Sequence, residues 1–196
     1  MGAHELPPGR CRAQDEPVPE LVAPTTRVHA SFLAAIAEFA AEGRGTAEDN
    51  SMLGRDMLRH GARWQEPEVF ARYVAETLAD AREETARPEG FVPSTVLWWV
   101  EGEEFLGRLS IRHRLTPRLL DWGGSIGYEV RPSARRRGHA TAMLRAALPV
   151  AHRLGFDPVL ITCDHDNVGS RKVIEGCGGV FEDRRGEKLR FWVPTS

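Results

Sequence analysis

The residues with the most chemistry in this sequence lie between Ile126 and Leu144, IGYEVRPSARRRGHATAML. Ile126 to Val130 reads as a buried strand, Pro132 as a turn, and the apolar spacing from Ala140 onward as an amphipathic helix. Between strand and helix stand Arg135, Arg136, Arg137, Gly138, His139, Ala140 and Thr141. A basic, glycine-containing turn that opens a helix is an anion site. The first N–H groups of a helix lack internal partners, and the positive end of its dipole points the same way. Five arginines and no acid fall between Arg131 and Arg145. Such a run is either a solvated helix face or an anion-binding face, and its place at a strand-to-helix turn favours the second. Gly138 lets backbone approach a phosphate, and the small Ala140 keeps the helix close to it.

A second constellation follows in Leu160 to Ser170, LITCDHDNVGS. A buried strand ends in a polar loop, and Asn167 opens a helix with Ser170 three residues on. The plain reading is that Asp166 or Asn167 caps that helix; the sharper one is contact with the ligand of the arginine-rich turn. The same loop mimics a calcium site, but Val168 stands where a ligating oxygen is needed, so no metal is expected. Cys163, Asp164 and His165 alternate across a strand and do not converge on a metal or a nucleophile. Gly176-Cys177-Gly178-Gly179 leads out of a helix and reads as its stop rather than as a dinucleotide fingerprint.

The elements that must position these residues are legible in outline. Residues 1–18, with Pro7, Pro8 and Pro17, read as a flexible N-terminal tail, and 19–196 as a single domain. Glu20 to Pro24 reads as a short strand, followed by a helix over Arg27–Ala41 capped by Thr25 or Thr26. Residues 43–63 read as irregular, and a second helix as Glu68–Glu84. Ser94–Glu101 and Phe105–His113 form a hairpin through Gly102-Glu103-Glu104. After a connector over 114–124, Ser125–Val130 leads into the basic turn and a helix from Gly138 toward Leu154. Pro149 predicts a kink or an early end of that helix near Leu148. Pro158–Thr162, a helix Asn167–Gly176, and strands Gly178–Phe181 and Lys188–Val193 complete the chain. The order β-α-α-β-β-β-α-β-α-β-β implies an α/β fold with a mixed sheet and helices on both faces.

The pattern Arg135-x-x-Gly138-x-Ala140, after a strand ending Val130-Arg131-Pro132, resembles the pyrophosphate loop of the GCN5-related N-acetyltransferases. Asn167 and Ser170 resemble that family's second cofactor motif. The resemblance covers residues 94–193. It is closest to a branch of bacterial acetyltransferases, through Arg112-His113-Arg114-Leu115, Gly123 to Tyr128 and Leu160 to Asp164. It implies acetyl-CoA as cosubstrate, held by Tyr128, Glu129, Val130, Arg135, Arg136, Arg137, Gly138, His139, Ala140, Thr141, Asn167 and Ser170. It also implies direct attack by an amine in a cleft between two splayed parallel strands, with a backbone N–H near Val130 stabilising the oxyanion. The proton acceptor is Glu129, on the key strand, or His113, at the end of the preceding one, whose unperturbed pKa of about 6.5 suits the task. Glu129 is alternatively a salt-bridge partner of the arginines, and His113 a hydrogen-bonded structural histidine. The family's tyrosine on the last helix falls at Ile174, so the chain departs from the pattern at the leaving-group acid.

Composition bounds the rest. At 196 residues, 41% hydrophobic, with a net charge of −2, the chain builds an ordinary core and gives no reason to expect nucleic acid or membrane partners. Cys11, Cys163 and Cys177 are no disulfide framework. MGAHELPPGRCRAQDEP has no apolar secretory core, which predicts a cytoplasmic location. The acceptor is expected to be a small-molecule amine. Alternatives are a protein N-terminus or lysine, or a non-catalytic acyl-CoA-binding role, and a homodimer is compatible with the family. Glu48, Asp49, Asp56, Glu66 and Glu68 would suit a cationic amine, but a solvated loop looks the same and is the plainer reading. One tryptophan of Trp98-Trp99 belongs to the core; the other either lines the acceptor cleft or packs on a helix.

Overall fold

The computed structural model describes residues 17–196; the expectations for the N-terminal tail and Cys11 lie outside the described residues, save for Pro17 and Val18. The elements are β1 (Glu20–Val22), α1 (His29–Ala41), α2 (Met52–His60), α3 (Pro67–Ala79), β2 (Ser94–Glu101), β3 (Glu104–Arg112), β4 (Ile126–Val130), α4 (His139–Arg153), β5 (Val159–Asp164), α5 (Val168–Gly176), β6 (Val180–Arg185) and β7 (Lys188–Val193). They form a seven-stranded mixed sheet in the order β1-β2-β3-β4-β5-β7-β6. No helix among the described residues is long and apolar enough to cross a membrane.

Strand alternation sends side chains to two cores. On one face, Val96, Trp98 and Val100 of β2 meet α1, α2 and α3. Phe32 sits at the centre of that cluster, with the rings of Trp64, Phe70, Tyr73, Trp98 and Phe105 between 5.1 and 5.9 Å away. On the other face, Leu109, Ile111, Ile126 and Ile161 pack under Met143, Leu144, Ala147 and Ala151 of α4 and Ile174 of α5. Trp99 is buried in this second core, so neither tryptophan lines an acceptor cleft.

Three expectations are corrected. Residues 43–63 are not irregular throughout: they hold α2, capped by Ser51, whose hydroxyl accepts the Gly54 N–H at 2.9 Å. Gly54 masked the helix in the sequence, yet a Cβ there would meet the Asp49 carboxylate at 2.2 Å, so packing demands the glycine. The next helix ends at Ala79 rather than Glu84, because Asp80 is pinned to the start of β2. Its carbonyl accepts the Ser94 N–H at 3.1 Å and its carboxylate the Ser94 hydroxyl at 2.6 Å. Finally, α4 does not stop near Leu148 but runs through Pro149 to Arg153. Buried Ala147 and Ala151 hold both sides of the proline on the sheet, which offsets the lost hydrogen bond.

Candidate active site

The sheet opens at one place. β4 and β5 are parallel and paired only at Ile126 and Ile161. Beyond that point Gly127 to Val130 and Thr162 to Asp164 part company. On its other edge β4 stays paired with β3 from Ile126 to Val130. The Arg131 N–H donates to the Leu106 carbonyl on β3 at 2.9 Å. Alternation along the strand then turns the N–H groups of Tyr128 and Val130 toward the gap. The Tyr128 hydroxyl spans the opening to the Ser170 hydroxyl at 2.8 Å. Burial, against the Ser170 hydrogen bond, pushes the Tyr128 pKa well above that of a free phenol.

The basic turn lies at the mouth of this gap. Arg136 has φ +63 and Gly138 φ +83, two left-handed residues that turn successive backbone N–H groups to one side, the geometry of an anion nest. No side chain caps α4, so the N–H groups of His139, Ala140 and Thr141 have no partner among the described residues. A Cβ on Gly138 would meet nothing within 4 Å. Free donors, a left-handed glycine and open space together fit a pyrophosphate.

The arginines of the run have different tasks. Arg131 is buried and paired with Glu38 at 2.5 Å and Glu104 at 2.9 Å, and Glu38 also accepts the Ser133 N–H at 2.9 Å. Glu38 lies below its ordinary pKa: burial alone would raise it, but the Arg131 and Ser133 hydrogen bonds override that. Arg135 grips both oxygens of Glu42 at 2.7 and 2.8 Å and donates to the Val130 carbonyl at 3.1 Å. It therefore braces the turn against α1 instead of reaching out to a phosphate. Arg136 and Arg137 are exposed at the turn. The His139 ring accepts the Trp99 indole N–H at 3.2 Å. Burial, then Arg137, lowers its pKa, so the ring is a neutral anchor for the start of α4.

On the opposite sheet face a polar network surrounds Glu129. Arg44 donates to Glu129 at 2.9 Å and to Asp49 at 2.7 Å. Arg108, 2% exposed, donates to Asp56 at 2.8 Å and to the Tyr73 hydroxyl at 3.0 Å, with its Nε 3.7 Å from Glu129. Burial alone would lower the Arg108 pKa; Tyr73, Asp56 and Glu129 raise it instead, so the guanidinium stays charged. A cleft of about 170 Å³ lies here, lined by Ser51, Met52, Arg108, Arg112, Gly127, Tyr128 and Glu129.

The structure thus brings Tyr128, Glu129, Val130, the turn from Arg136 to Thr141, and Ser170 to one gap. Asn167 caps α5, its side-chain oxygen accepting the Ser170 N–H at 2.9 Å, which leaves only its amide NH₂ for a ligand. His113 is not brought in. It hydrogen-bonds Thr95 at 2.8 Å, and with Arg108 opposite Glu129 it lies five residues farther along the strand, about 17 Å away. Sequence reasoning misses Arg44, Ser51 and Arg108, reads Asp49 and Asp56 only as acidic loop residues, and reads Arg112 only as part of a family-like segment. The signal available was Arg108 and Arg112 alternating with Leu109 and Ile111, which places both guanidiniums on one face of a buried strand.

The family model described as Acetyltransferase (GNAT) domain matches residues 51–180. The chain belongs to this family. It is accordingly an acetyl-CoA-dependent acyltransferase. Solved structures share the GNAT fold at low identity. Mycobacterium smegmatis RimJ in complex with CoA-disulfide is 18% identical, covering 90% of this chain and 81% of its own at a TM-score of 0.60. The microcin C7 self-immunity acetyltransferase MccE, in complex with acetyl-CoA and AMP, is 14% identical over 91% of this chain and 92% of its own, with a TM-score of 0.57. RimL, a ribosomal L7/L12 alpha-N-protein acetyltransferase in complex with coenzyme A, is 16% identical over 89% and 92%, with a TM-score of 0.55. No curated protein matches the sequence. Within the GNAT frame, Ile174 is fully buried in the α4–α5 core, so nothing at that position reaches the gap.

Proposed function

We propose that this protein transfers the acetyl group of acetyl-CoA to the primary amine of a small molecule by direct attack. The observation that carries this is the pairing of an open gap, walled by β4 and β5 beside the free N-terminus of α4, with a small roofed cleft on the other side of β4. Ser51 and Met52, at the start of α2, form the roof, and Arg44 closes onto Glu129 beside it. At about 170 Å³ the cleft is below the roughly 300 Å³ typical of pockets for drug-sized ligands. A roofed space of this size admits a small amine more readily than a folded protein surface.

Acetyl-CoA supplies an activated thioester. The chain's own groups do the rest. The nest and the N-terminus of α4 bind the pyrophosphate, and the edge of β4 facing the gap orients the pantetheine arm. The Val130 N–H meets negative charge growing on the carbonyl oxygen. As the amine nitrogen bonds the carbonyl carbon and the C–S bond breaks, Glu129 takes the amine proton. The sulfur takes a proton from the Tyr128 hydroxyl or from water. Holding both reactants on one strand supplies the proximity.

The test is calorimetric titration with acetyl-CoA, followed by measurement of CoA release over a panel of small amines and N-terminal peptides. Binding with turnover of small amines supports the reading. Turnover of peptides alone would transfer the activity to protein N-termini, and binding without turnover would make the protein an acyl-CoA binder.

A further inference from the structure

The charges around the acceptor cleft do not balance, and the excess lies at one end. Asp49 is paired with Arg44, Asp56 with Arg108, and Glu129 is shared between Arg44 and Arg108. Two guanidiniums remain. Arg55 stacks over the Phe91 ring and donates to the Asn50 carbonyl. Arg112 donates through Nη1 to the carbonyls of Gly123 and Gly124, at 2.8 and 3.1 Å. Neither has a carboxylate within 4 Å among the described residues. Burial pushes the Arg112 pKa down to about 10, and Arg55 adds to the effect, as expected for a cation held near another cation without a counter-ion. Of the acidic residues that suggested a cationic acceptor, the two in this network, Asp49 and Asp56, are already neutralised and not available to one.

The free part of Arg112 faces the cleft. Its Nε and Nη2 make no hydrogen bond among the described residues. That edge of a guanidinium matches the two oxygens of a carboxylate or a phosphoryl group. It lies over Gly127, where a Cβ would stand 3.4 Å from Nη2. Gly127 and Glu129 share one face of β4, two residues and about 7 Å apart. Nearby, the buried Arg108 Nε has no hydrogen-bond partner.

We propose that the acceptor is an amino-acid-type amine, whose own carboxylate docks on Arg112 above Gly127 while its amine lies toward Glu129 and the β4–β5 gap. The spacing of the two sites is that of an α- or β-amino acid held at both ends, and Arg55 adds long-range attraction. A short aminophosphonate presents the same oxyanion. This inference rests on the acetyl-transfer reading and narrows its acceptor.

The experiment compares matched pairs with acetyl-CoA by CoA release: α-amino acids and β-alanine against their amides, with aminomethylphosphonic acid as a third arm. The acids are expected to have kcat/KM at least about tenfold above their amides, the size of one charge-assisted contact. Preference for the phosphonate would assign the site to phosphoryl groups. Arg112→Gln should raise KM for the acid by a similar factor and abolish the preference, while KM for acetyl-CoA stays put; Arg112→Lys should restore part of it. Because Arg112 also holds the Gly123–Gly124 turn, Gly127→Ala is the second variant. It should raise KM for the acid alone, with the melting temperature near wild type. Amides used as well as acids would overturn this inference and leave acetyl transfer standing. No member of any pair acetylated, while another small amine is, would also overturn this inference alone; acetyl-CoA bound, with neither these pairs nor any other small amine acetylated, would overturn both.

Discussion

Arg44 Nη2 and Glu129 Oε2 meet at 2.9 Å, tying the loop after α1 to the strand that carries the chemistry. The contact explains how a carboxylate on β4 keeps one orientation with only 16% of its side chain exposed. It also gives the first prediction. Glu129→Gln keeps the shape and a hydrogen-bonding oxygen but removes the proton acceptor. The expected outcome is a fall in kcat of about 10²–10⁴-fold with acetyl-CoA affinity unchanged. His113→Ala, at the far end of β3, should leave kcat near wild type. Steady-state kinetics on the two variants separate the candidates; the reverse pattern would move the base to His113.

Gly138 carries the second prediction. Its φ of +83 strains any other residue, while the space around it is open. Gly138→Ala should therefore fold, with a loss of about 1 kcal/mol and modestly weaker acetyl-CoA binding. Gly138→Glu adds a negative charge where the pyrophosphate must sit and should abolish binding while leaving the circular dichroism spectrum native. Calorimetry reads both. Undiminished binding in Gly138→Glu would exclude the turn as the phosphate site.

Tyr128 carries the third. With Ile174 buried, its phenol is the acid that reaches the gap from the chain itself, since Tyr73, the other tyrosine, is locked against Asp56 and Arg108. Tyr128→Phe should lower kcat by about ten- to a hundredfold without changing acetyl-CoA affinity. A CoA thiolate leaves tolerably unaided, which keeps the effect at the low end. Because burial holds the phenol protonated across the working pH range, the fall in kcat should be the same at every pH, which would mark the phenol as the donor. An unchanged kcat would assign protonation of the sulfur to water.

The strand-to-helix anion turn was legible because its signal is local. Arg135, Gly138 and Ala140 stand within six residues, and helix-terminus physics acts on backbone groups close in sequence. The sheet was legible for the same reason: Ser94–Glu101 and Lys188–Val193 are β-rich runs bounded by turns. The cleft was not, because it is made by distant pairings. Arg44 meets Glu129 and Arg108 meets Asp56 across long stretches of chain, and nothing near Asp49 or Asp56 shows that an arginine will neutralise it. Arg135 misled because composition counts charges without showing which are spent. Glu42, one helix away, takes both its oxygens' worth of donors.

Asp49 makes the same network visible to pH. Burial alone would raise its pKa, but Ser51, the Gly45 N–H and Arg44 hold it well below the ordinary 3.8. A carboxyl with a depressed folded-state pKa binds fewer protons folded than unfolded, so folding is favoured by deprotonation. Its contribution is complete above the unfolded value and drains away as pH falls through that value toward the depressed one. Glu38, lowered from 4.5 at the Arg131 staple, acts in the same direction. The wild-type melting temperature should therefore drop between about pH 5 and pH 2. The Asp49→Asn variant, less stable at neutral pH, should drop less steeply and approach wild type in acid. Thermal melts at stepped pH read the difference directly. Parallel curves would mean that Asp49 keeps an ordinary pKa and that Arg44 is held in place by Glu129 and Ser51 without it.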